Sequence, residues 1–257
     1  MIHPSAQIHP EAKLDAGVEV GPWCIVGPHV KIGKGTQLRS HVVVEGWTTI
    51  GENNVIFPFA VIGAVPQDLK YKGEETYVVI GKNNTIRESV TINLGTAQGG
   101  SYTRVGDGNL LMSSVHLGHD SQIGSQCVLA TGVGLSGHVT VEDSAIIGGM
   151  VGAGQFVRIG AHAYISGQAG LSKDVPPFTI VEGSRPNIIR GVNIVGLRRR
   201  GYSTETIQKL NESVKLWTRT DVNKEQCLLE IESQYGDVPE VQQFISFIRE
   251  SEHGVIK

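Results

Sequence analysis

The sequence has little of the features that mark several common protein classes. Aromatic residues make up 6% of its 257 residues, and the formal net charge of -3 gives no basic excess that would favour nucleic acid or an anionic membrane surface as a partner. No apolar run approaches the roughly 20 residues of a membrane span. The N-terminal segment also lacks the basic start and apolar middle of a signal peptide. We therefore expect no nucleic acid partner and no integral membrane association.

Cysteine is equally scarce. Cys24, Cys127 and Cys227 lie far apart and fit no disulfide or zinc-binding spacing. This predicts a protein of the reducing cytoplasm.

A large aliphatic residue recurs at every sixth position, and the chain contains 33 glycines. One unbroken series comprises Ile2, Ile8, Leu14, Val20, Val26, Ile32, Leu38, Val44, Ile50, Ile56 and Ile62. After the phase shifts by one residue, a second series comprises Val105, Leu111, Leu117, Ile123, Leu129, Leu135, Val141, Ile147, Ala153, Ile159, Ile165 and Leu171. Helices repeat every 3.6 residues and half-buried strands every 2. A period of six instead predicts a parallel β-helix, in which each short strand points one aliphatic side chain inward.

The period also predicts the domain organisation. It favours a mainly β protein, with a β-helix over residues 1–190 that is interrupted by loops near 68–79 and 94–104, where we expect function. Pro176 and Pro177 are predicted to end the solenoid. Apolar residues at helical spacing from about Gly201 predict three or four short helices in a small C-terminal domain, residues 191–257. Hexapeptides such as "VGPHVK" and "IGKGTQ" resemble those of the hexapeptide-repeat transferases, a resemblance that implies a left-handed β-helix with three hexapeptides in each coil.

The segment "SVHLGHDSQIG" places two histidines on this scaffold. A coil of three hexapeptides stacks His119 on Gly137, which is followed by His138. Three interpretations are open: polar residues of a solvated face, a zinc site of His116, His119 and His138 like that of the gamma-class carbonic anhydrases, or acyl-transfer catalysis. In the third, neutral imidazole accepts a hydroxyl proton near pH 7 and a backbone amide holds the oxyanion. Gly137 would offer that amide, and Asp120 would orient the imidazole.

An ordered set of motifs resembles one enzyme family. The motifs "QDLKY", "IRESVTIN", "GDGNLLMSSVHLGHD", "LSGHVTV", "AIIGGM", "DVPPF" and "GVNIVGLRRRGYS" are similar to those of the UDP-N-acetylglucosamine O-acyltransferases of lipid A synthesis. The resemblance implies transfer of a 3-hydroxyacyl chain from acyl carrier protein to the sugar 3-hydroxyl, with no cofactor besides the carrier thioester and no metal. It also implies a homotrimer with active sites between neighbouring prisms, in the cytoplasm of a Gram-negative-type bacterium.

The resemblance assigns roles to individual residues. His119 matches the general base, Asp120 its neighbour, and Gly137 the glycine proposed to hold the oxyanion. Substrate contacts are implied for the remaining matched positions, which are Gln67, Asp68, Lys70, His116, His138, Gln155, Asn193, Arg199 and Arg200. The last three would hold the nucleotide, because guanidinium groups match a diphosphate; the alternative for the arginine run is a solvated patch or a dock for the acidic carrier protein. Gly167 matches the position that limits acyl chain length, or is simply a corner glycine.

The sequence departs from the family at two places. Asn93 and Leu94 stand where the family has His and Arg, and Gly154 stands where it has His. Both missing histidines are expected near the acceptor sugar. An alternative acceptor is therefore open: a UDP-sugar with a 3-amino group, whose amine would need less help from a base, or another nucleotide sugar.

Overall fold

A computed structural model describes residues 1–257 and shows a three-sided parallel β-helix with a small helical domain at its C-terminal end. Each coil of the β-helix contributes one short strand to each of three sheets. In a typical strand the first residue faces outward and the second, a large aliphatic residue, is buried. The predicted period of six is therefore the spacing of the inward positions.

The strands are distributed evenly over the three sheets. The first sheet contains β1 (Gln7–Ile8), β4 (Ile25–Val26), β7 (Val43–Val44), β10 (Val61–Ala64), β13 (Thr91–Asn93), β16 (His116–Leu117), β19 (Gly134–Leu135), β22 (Gly152–Ala153) and β25 (Gly170–Leu171). The second contains β2 (Lys13–Leu14), β5 (Lys31–Ile32), β8 (Trp47–Ile50), β11 (Tyr77–Ile80), β14 (Tyr102–Val105), β17 (Gln122–Ile123), β20 (Thr140–Val141) and β23 (Arg158–Ile159). The third contains β3 (Glu19–Val20), β6 (Gln37–Leu38), β9 (Val55–Ile56), β12 (Thr85–Ile86), β15 (Leu110–Leu111), β18 (Val128–Leu129), β21 (Ile146–Ile147), β24 (Tyr164–Ile165), β26 (Thr179–Glu182) and β27 (Ile188–Val192).

Three corners join the sheets, and we name them corner 1–2, corner 2–3 and corner 3–1 after the sheets they connect. Where nothing intervenes, strand partners are separated by one regular coil, as for His116 with Gly134 and Gly134 with Gly152. The pairs Val61 with Thr91 and Thr91 with His116 are separated by longer stretches of chain. In both cases the extra residues run between a strand of the first sheet and one of the second, so both insertions project from corner 1–2.

The first insertion lies three residues earlier than the sequence predicted, and the second ends three residues earlier. They occupy residues 65–76 and 94–101, because β11 already begins at Tyr77 and β14 at Tyr102. Both are four-residue strands that pair along their whole length. Their first residues lie outside the sixfold repeat, which is why the repeat alone assigned them to loops.

The end of the solenoid was also predicted too early. Pro176 and Pro177 lie in a corner, where the missing N–H groups are not required by any sheet. After them β26 continues the third sheet, parallel to β24, and β27 returns antiparallel to β26. The predicted domain boundary at residue 190 falls inside β27.

The C-terminal part contains four helices, α1 (Ile194–Arg199), α2 (Thr204–Trp217), α3 (Lys224–Tyr235) and α4 (Pro239–Arg249). The first begins before Gly201, where the sequence predicted helix to start, because so short a helix cannot show an apolar period. Side chains of Asn193, Ser203 and Asn223 cap the first three helices by accepting backbone N–H groups. None of the four is both long and apolar enough to cross a bilayer.

The chain ends by returning to the solenoid. The segment 250–257, which we call the C-terminal tail, runs along the last coil: Asp174 donates its N–H to Gly254 O (2.9 Å) and accepts that of Ile256 (3.0 Å). The side chain of Ile256 is buried with the solenoid core, and Trp217 Nε1 donates to its carbonyl at 2.9 Å. The tail thus closes the apolar interior at its C-terminal end.

Candidate active site

The repeating coil brings the central predicted residues together in two adjacent columns at corner 1–2. One column consists of His119, Gly137 and Gln155, and the other of Asp120, His138 and Phe156. Backbone hydrogen bonds hold the columns in register, from His138 N to His119 O (2.9 Å) and from Phe156 N to Gly137 O (3.3 Å). All members of the second column have positive φ, between 62° and 66°, which turns the chain at the corner.

His119 is fixed from behind by Asp120. The distance from Nδ1 of His119 to Oδ2 of Asp120 is 2.8 Å, and both side chains are buried. A carboxylate only accepts hydrogen bonds, so Nδ1 carries the proton and Nε2 retains its lone pair. The carboxylate of Asp120 also accepts the backbone N–H of Thr96 (2.8 Å) and its hydroxyl (2.7 Å). The second insertion therefore supports the orientation of the imidazole.

Gly137 is in direct contact with that imidazole. A Cβ at this position would lie 2.5 Å from Nε2 and 2.4 Å from Cε1 of His119, too close for any side chain. The amide N–H of Gly137 donates to no acceptor of the chain, and neither do the amides of His119 and Gln155 in the same column. The missing side chain is what distinguishes Gly137, because it lets the imidazole of His119 lie directly against the backbone of this buried residue.

Two further histidines lie close by. The ring of His138 stands edge-on to that of His119, with centroids 5.0 Å apart, and burial lowers its pKa more than the nearby Asp120 raises it. His116 lies on β16, where its Nδ1 is 2.7 Å from the hydroxyl of Thr91. Burial is the main cause that lowers the pKa of His116. Both rings are thereby favoured in their neutral form.

The columns and the two insertions enclose an open groove of about 790 Å³. Its lining residues are mostly polar; they are Gln67, Asp68, Leu69, Lys70, Thr96, Gln98, Gly99, His119, His138, Gln155 and Phe156. The predicted contact residues Gln67, Asp68 and Lys70 thus face the predicted base across one space. Their substrate roles stay predictions.

Two residues that replace family residues, Asn93 at the end of β13 and Leu94 at the start of the second insertion, do not line this groove. Asn93 is 4% exposed, and its Nδ2 donates to Val65 O at 3.0 Å, where the first insertion begins. Leu94 is 2% exposed and packs over Gly46, where a Cβ would approach it to 2.9 Å. The amide of Asn93 therefore holds the first insertion in place. A Cβ at Gly154 would make an ordinary contact with Leu171 O at 3.4 Å, so a side chain would fit there.

Other predicted residues lie at different corners of the same chain. Asn193, which precedes α1, donates from Nδ2 to His162 O at corner 2–3 (3.0 Å) and accepts from Gly196 N (3.1 Å). Arg200 donates to Gln126 O at the same corner, at 3.4 Å. Gly167 lies at corner 3–1, between β24 and β25, and Arg199 is exposed at the end of α1. A single chain does not bring these residues to the groove.

The structure groups different possible metal ligands from those of the zinc site that the sequence left open. The ligand atoms that lie within 4.8 Å of one another belong to His119, Asp120 and His138, and His116 is not among them. Oδ2 of Asp120 already accepts hydrogen bonds from His119 and Thr96. The three-histidine site considered from the sequence is therefore not formed.

The sequence did not predict five residues that line the groove, which are Leu69, Thr96, Gln98, Gly99 and Phe156. Phe156 lines the groove one coil after His138, so the coil repeat contained the signal for it. Thr96 holds Asp120 from within an insertion, where the repeat carries no information.

Comparisons with known proteins agree with this architecture. A protein-family model described as "Udp N-acetylglucosamine O-acyltransferase; Domain 2" matches residues 174–256. The LpxA structure from Acinetobacter baumannii is 44% identical, with a TM-score of 0.96, over 100% of this chain and 99% of that one. The UDP-N-acetylglucosamine O-acyltransferase of Moraxella catarrhalis is 41% identical, with a TM-score of 0.95, over 100% and 99%. The Arabidopsis UDP-N-acetylglucosamine acyltransferase is 35% identical, with a TM-score of 0.88, over 100% of both chains.

The relatives match along the whole length of this chain, including both insertions and the helical end. The predicted left-handed parallel β-helix with a small C-terminal helical domain is therefore confirmed, and the protein is an acyltransferase. By its fold and its sequence, this chain belongs to the UDP-N-acetylglucosamine O-acyltransferase family.

Proposed function

We propose that this acyltransferase moves a 3-hydroxyacyl chain from the thioester of acyl carrier protein to the 3-hydroxyl of UDP-N-acetylglucosamine, with His119 as general base. The observation that supports this most directly is the contact between the free Nε2 of His119 and the backbone of Gly137. His119 lines the groove, and beside it lies a backbone amide that has no acceptor in the chain; acyl transfer requires such a pair of proton acceptor and oxyanion donor.

The reaction follows from this arrangement. Nε2 of His119 accepts the hydroxyl proton while the sugar oxygen attacks the thioester carbon and the carbonyl electrons move to oxygen. The N–H of Gly137 donates to that oxyanion. When the C–S bond breaks, the imidazolium returns the proton to the thiolate. Asp120 keeps Nδ1 protonated throughout and stabilises the charged imidazole.

The proposed base and the proposed oxyanion donor each have a typical effect on the reaction rate. General-base assistance typically accelerates a reaction by about 10² to 10⁴-fold. One oxyanion-hole donor contributes about 10² to 10³-fold. The proposed reaction requires no metal and no cofactor besides the carrier-bound thioester.

The remaining predicted residues fit this function if the molecule is a homotrimer. Of the residues proposed to hold the nucleotide, Asn193 and Arg200 contact corner 2–3 and Arg199 ends the adjoining helix α1, while Gly167 lies at corner 3–1. A closed trimer sets a different corner of one copy against corner 1–2 of the next. We infer that the complete site lies between neighbouring copies.

Gly167 would then set the acyl length. A Cβ there would lie 3.1 Å from Gly149 O, so the position is tight on one side but lacks any side chain that could block a groove. We expect a long acyl chain of about fourteen carbons by family resemblance. Acyl profiles of Gly167→Met against the unaltered protein test the assignment, and an unchanged preference contradicts it.

A 3-amino UDP-sugar is the second candidate acceptor. Asn93 uses its amide to hold the first insertion and Gly154 has no side chain, so two positions that carry histidine in the family offer no imidazole here. An amine attacks a thioester with less assistance than a hydroxyl, and the product would be an amide.

The decisive experiment offers carrier-bound acyl chains with hydroxyl and 3-amino UDP-sugars in parallel and identifies products by mass spectrometry. Ester on the hydroxyl sugar supports the first acceptor, and amide on the amino sugar the second. His119→Ala should fold normally and lose at least about 10²-fold in turnover. Near-normal turnover of that variant would remove the mechanism.

The proposed location is the cytoplasm of a Gram-negative-type bacterium. All three cysteines are buried and free, in keeping with a reducing compartment.

A further inference from the structure

A row of aromatic rings leads from the C-terminal tail to the predicted base. His138 stands edge-on to His119, and Phe156 stacks on His138 with centroids 4.5 Å apart and planes 9° apart. His253 of the tail lies against Phe156, with centroids 5.7 Å apart. Offset and edge-on arrangements of this kind are the favourable geometries for ring pairs.

Phe156 has no packing reason to be aromatic. Its side chain is 45% exposed and outside the solenoid core. It occupies a left-handed corner position, φ 66°, which in this solenoid also carries Trp23, Phe59 and Phe178. Its aromatic contacts are with His138 and His253. Phe156 therefore differs from the other corner rings in that its neighbour, His138, lines the groove.

The tail is well placed to brace this ring. Backbone hydrogen bonds to Asp174 fix residues 254 and 256, and the buried Ile256 anchors the end of the chain in the solenoid. Arg158 adds a contact from the solenoid to Glu250, with 3.6 Å between Nη2 and Oε2. His253 projects from a segment that is tied down on both sides.

We propose that Phe156 is a positioning residue that, braced by His253, holds the ring of His138 in its orientation beside His119 and so governs substrate binding in the groove. The C-terminal tail becomes part of the active-site support. The inference rests on the proposed function, because it takes the groove as the substrate site.

Kinetics of matched variants test the proposal. Phe156→Ala should raise KM for the UDP-sugar by about 3- to 10-fold with kcat little changed, as expected when binding common to ground and transition states is lost. Phe156→Tyr keeps the stacking ring and should stay within about twofold of the unaltered protein. His253→Ala should shift KM in the same direction by a smaller factor, and His253→Phe should restore it.

Phe59 provides the matched control. It has the same φ of 66°, is 60% exposed and lies against a histidine ring, His41, at 5.2 Å, but at corner 3–1. Phe59→Ala should leave KM unchanged. An equal rise in both alanine variants would show a general effect of removing corner rings and would overturn the proposal.

Titration of His138 by NMR gives a readout without turnover. The charged and titratable groups around this ring are His119 and Asp120 in the columns and Asp68 and Lys70 on the first insertion. Burial is the main cause of its lowered pKa, so Phe156→Ala should move the pKa of His138 up towards its ordinary value near 6.5. Phe59→Ala should not.

The two proposals fail in different ways. An unchanged His138 titration and an unchanged KM in Phe156→Ala contradict the positioning role, even where His119→Ala abolishes turnover. Full turnover in His119→Ala contradicts the proposed mechanism, while the His138 titration still reports whether Phe156 holds that ring.

Discussion

The imidazole of His119 occupies the space that a side chain at Gly137 would need: an added Cβ would lie 2.4 Å from Cε1. The base and the proposed oxyanion donor are thus fitted to each other across one coil. Gly137 is not among the glycines with a left-handed φ, so contact with the ring, and not backbone conformation, requires glycine at this position.

Gly137→Ala should therefore abolish activity with limited effect on the fold. The ring of His119 is the group that must move, and its displacement should lower turnover by about 10²-fold or more. Overpacking should cost about 1–3 kcal/mol of unfolding free energy. Gly152→Ala is the matched control, because a Cβ there meets nothing within 4 Å. Steady-state turnover and denaturant unfolding measure both effects, and an active Gly137→Ala variant contradicts the assigned contact.

Asp120→Asn should reduce both activity and stability. The buried carboxylate accepts three hydrogen bonds, one from His119 and two from Thr96. An amide keeps the shape but offers one acceptor oxygen, so one buried partner loses its bond at a cost of about 1–3 kcal/mol. Turnover should fall because the imidazole loses the group that fixes its tautomer. Retention of full turnover would show that Asp120 only supports the second insertion.

The sixfold repeat predicted the fold because the narrow interior admits one aliphatic side chain per strand. The same repeat stacked His119 on Gly137, which lies one coil later. Phe156 lies in the coil that follows Gly137. The repeat failed at the insertions, where strand partners such as Val61 and Thr91 lie farther apart in sequence than one regular coil.

The direction in which individual side chains point was the second feature that the sequence could not predict. Asn93 and Leu94 stand where the family has His and Arg, yet Asn93 bonds to Val65 O and Leu94 packs over Gly46. Neither partner is near in sequence, and both depend on how the insertions fold back. The sequence alone likewise did not show that the predicted residues lie at three different corners, because this depends on which sheet each strand joins.

Restoring the family's arginine at Leu94 should damage the protein. The side chain is 2% exposed, and an unpaired guanidinium there should cost about 3 kcal/mol or more in unfolding free energy. Leu94→Met keeps an apolar side chain of similar volume and should cost less than about 1.5 kcal/mol. Urea unfolding distinguishes the two. Equal stability of both variants would place the residue 94 side chain at the surface.

Lowering the pH should destabilise the fold. Burial is the main cause that lowers the pKa of His116, His138 and His162 from the ordinary 6.5. Below about pH 6.5 the unfolded chain therefore binds more protons than the folded one, and the unfolding free energy falls as the pH decreases through that value. Melting temperatures at pH 7.5 and 5.5 should show the drop. His162→Gln should reduce this drop in melting temperature. A melting temperature that is higher at pH 5.5 than at pH 7.5 would contradict the prediction.

Mixed trimers test whether the site is shared between copies. His119→Ala disables corner 1–2, and the double variant Arg199→Ala, Arg200→Ala disables the proposed nucleotide contacts at corner 2–3. Each should be inactive alone. If every site takes one corner from each of two neighbours in a closed trimer, random co-assembly at equal amounts gives an intact pair at about one quarter of the sites. Co-expressed variants should thus recover about one quarter of the activity, whereas a site completed within one chain would recover none.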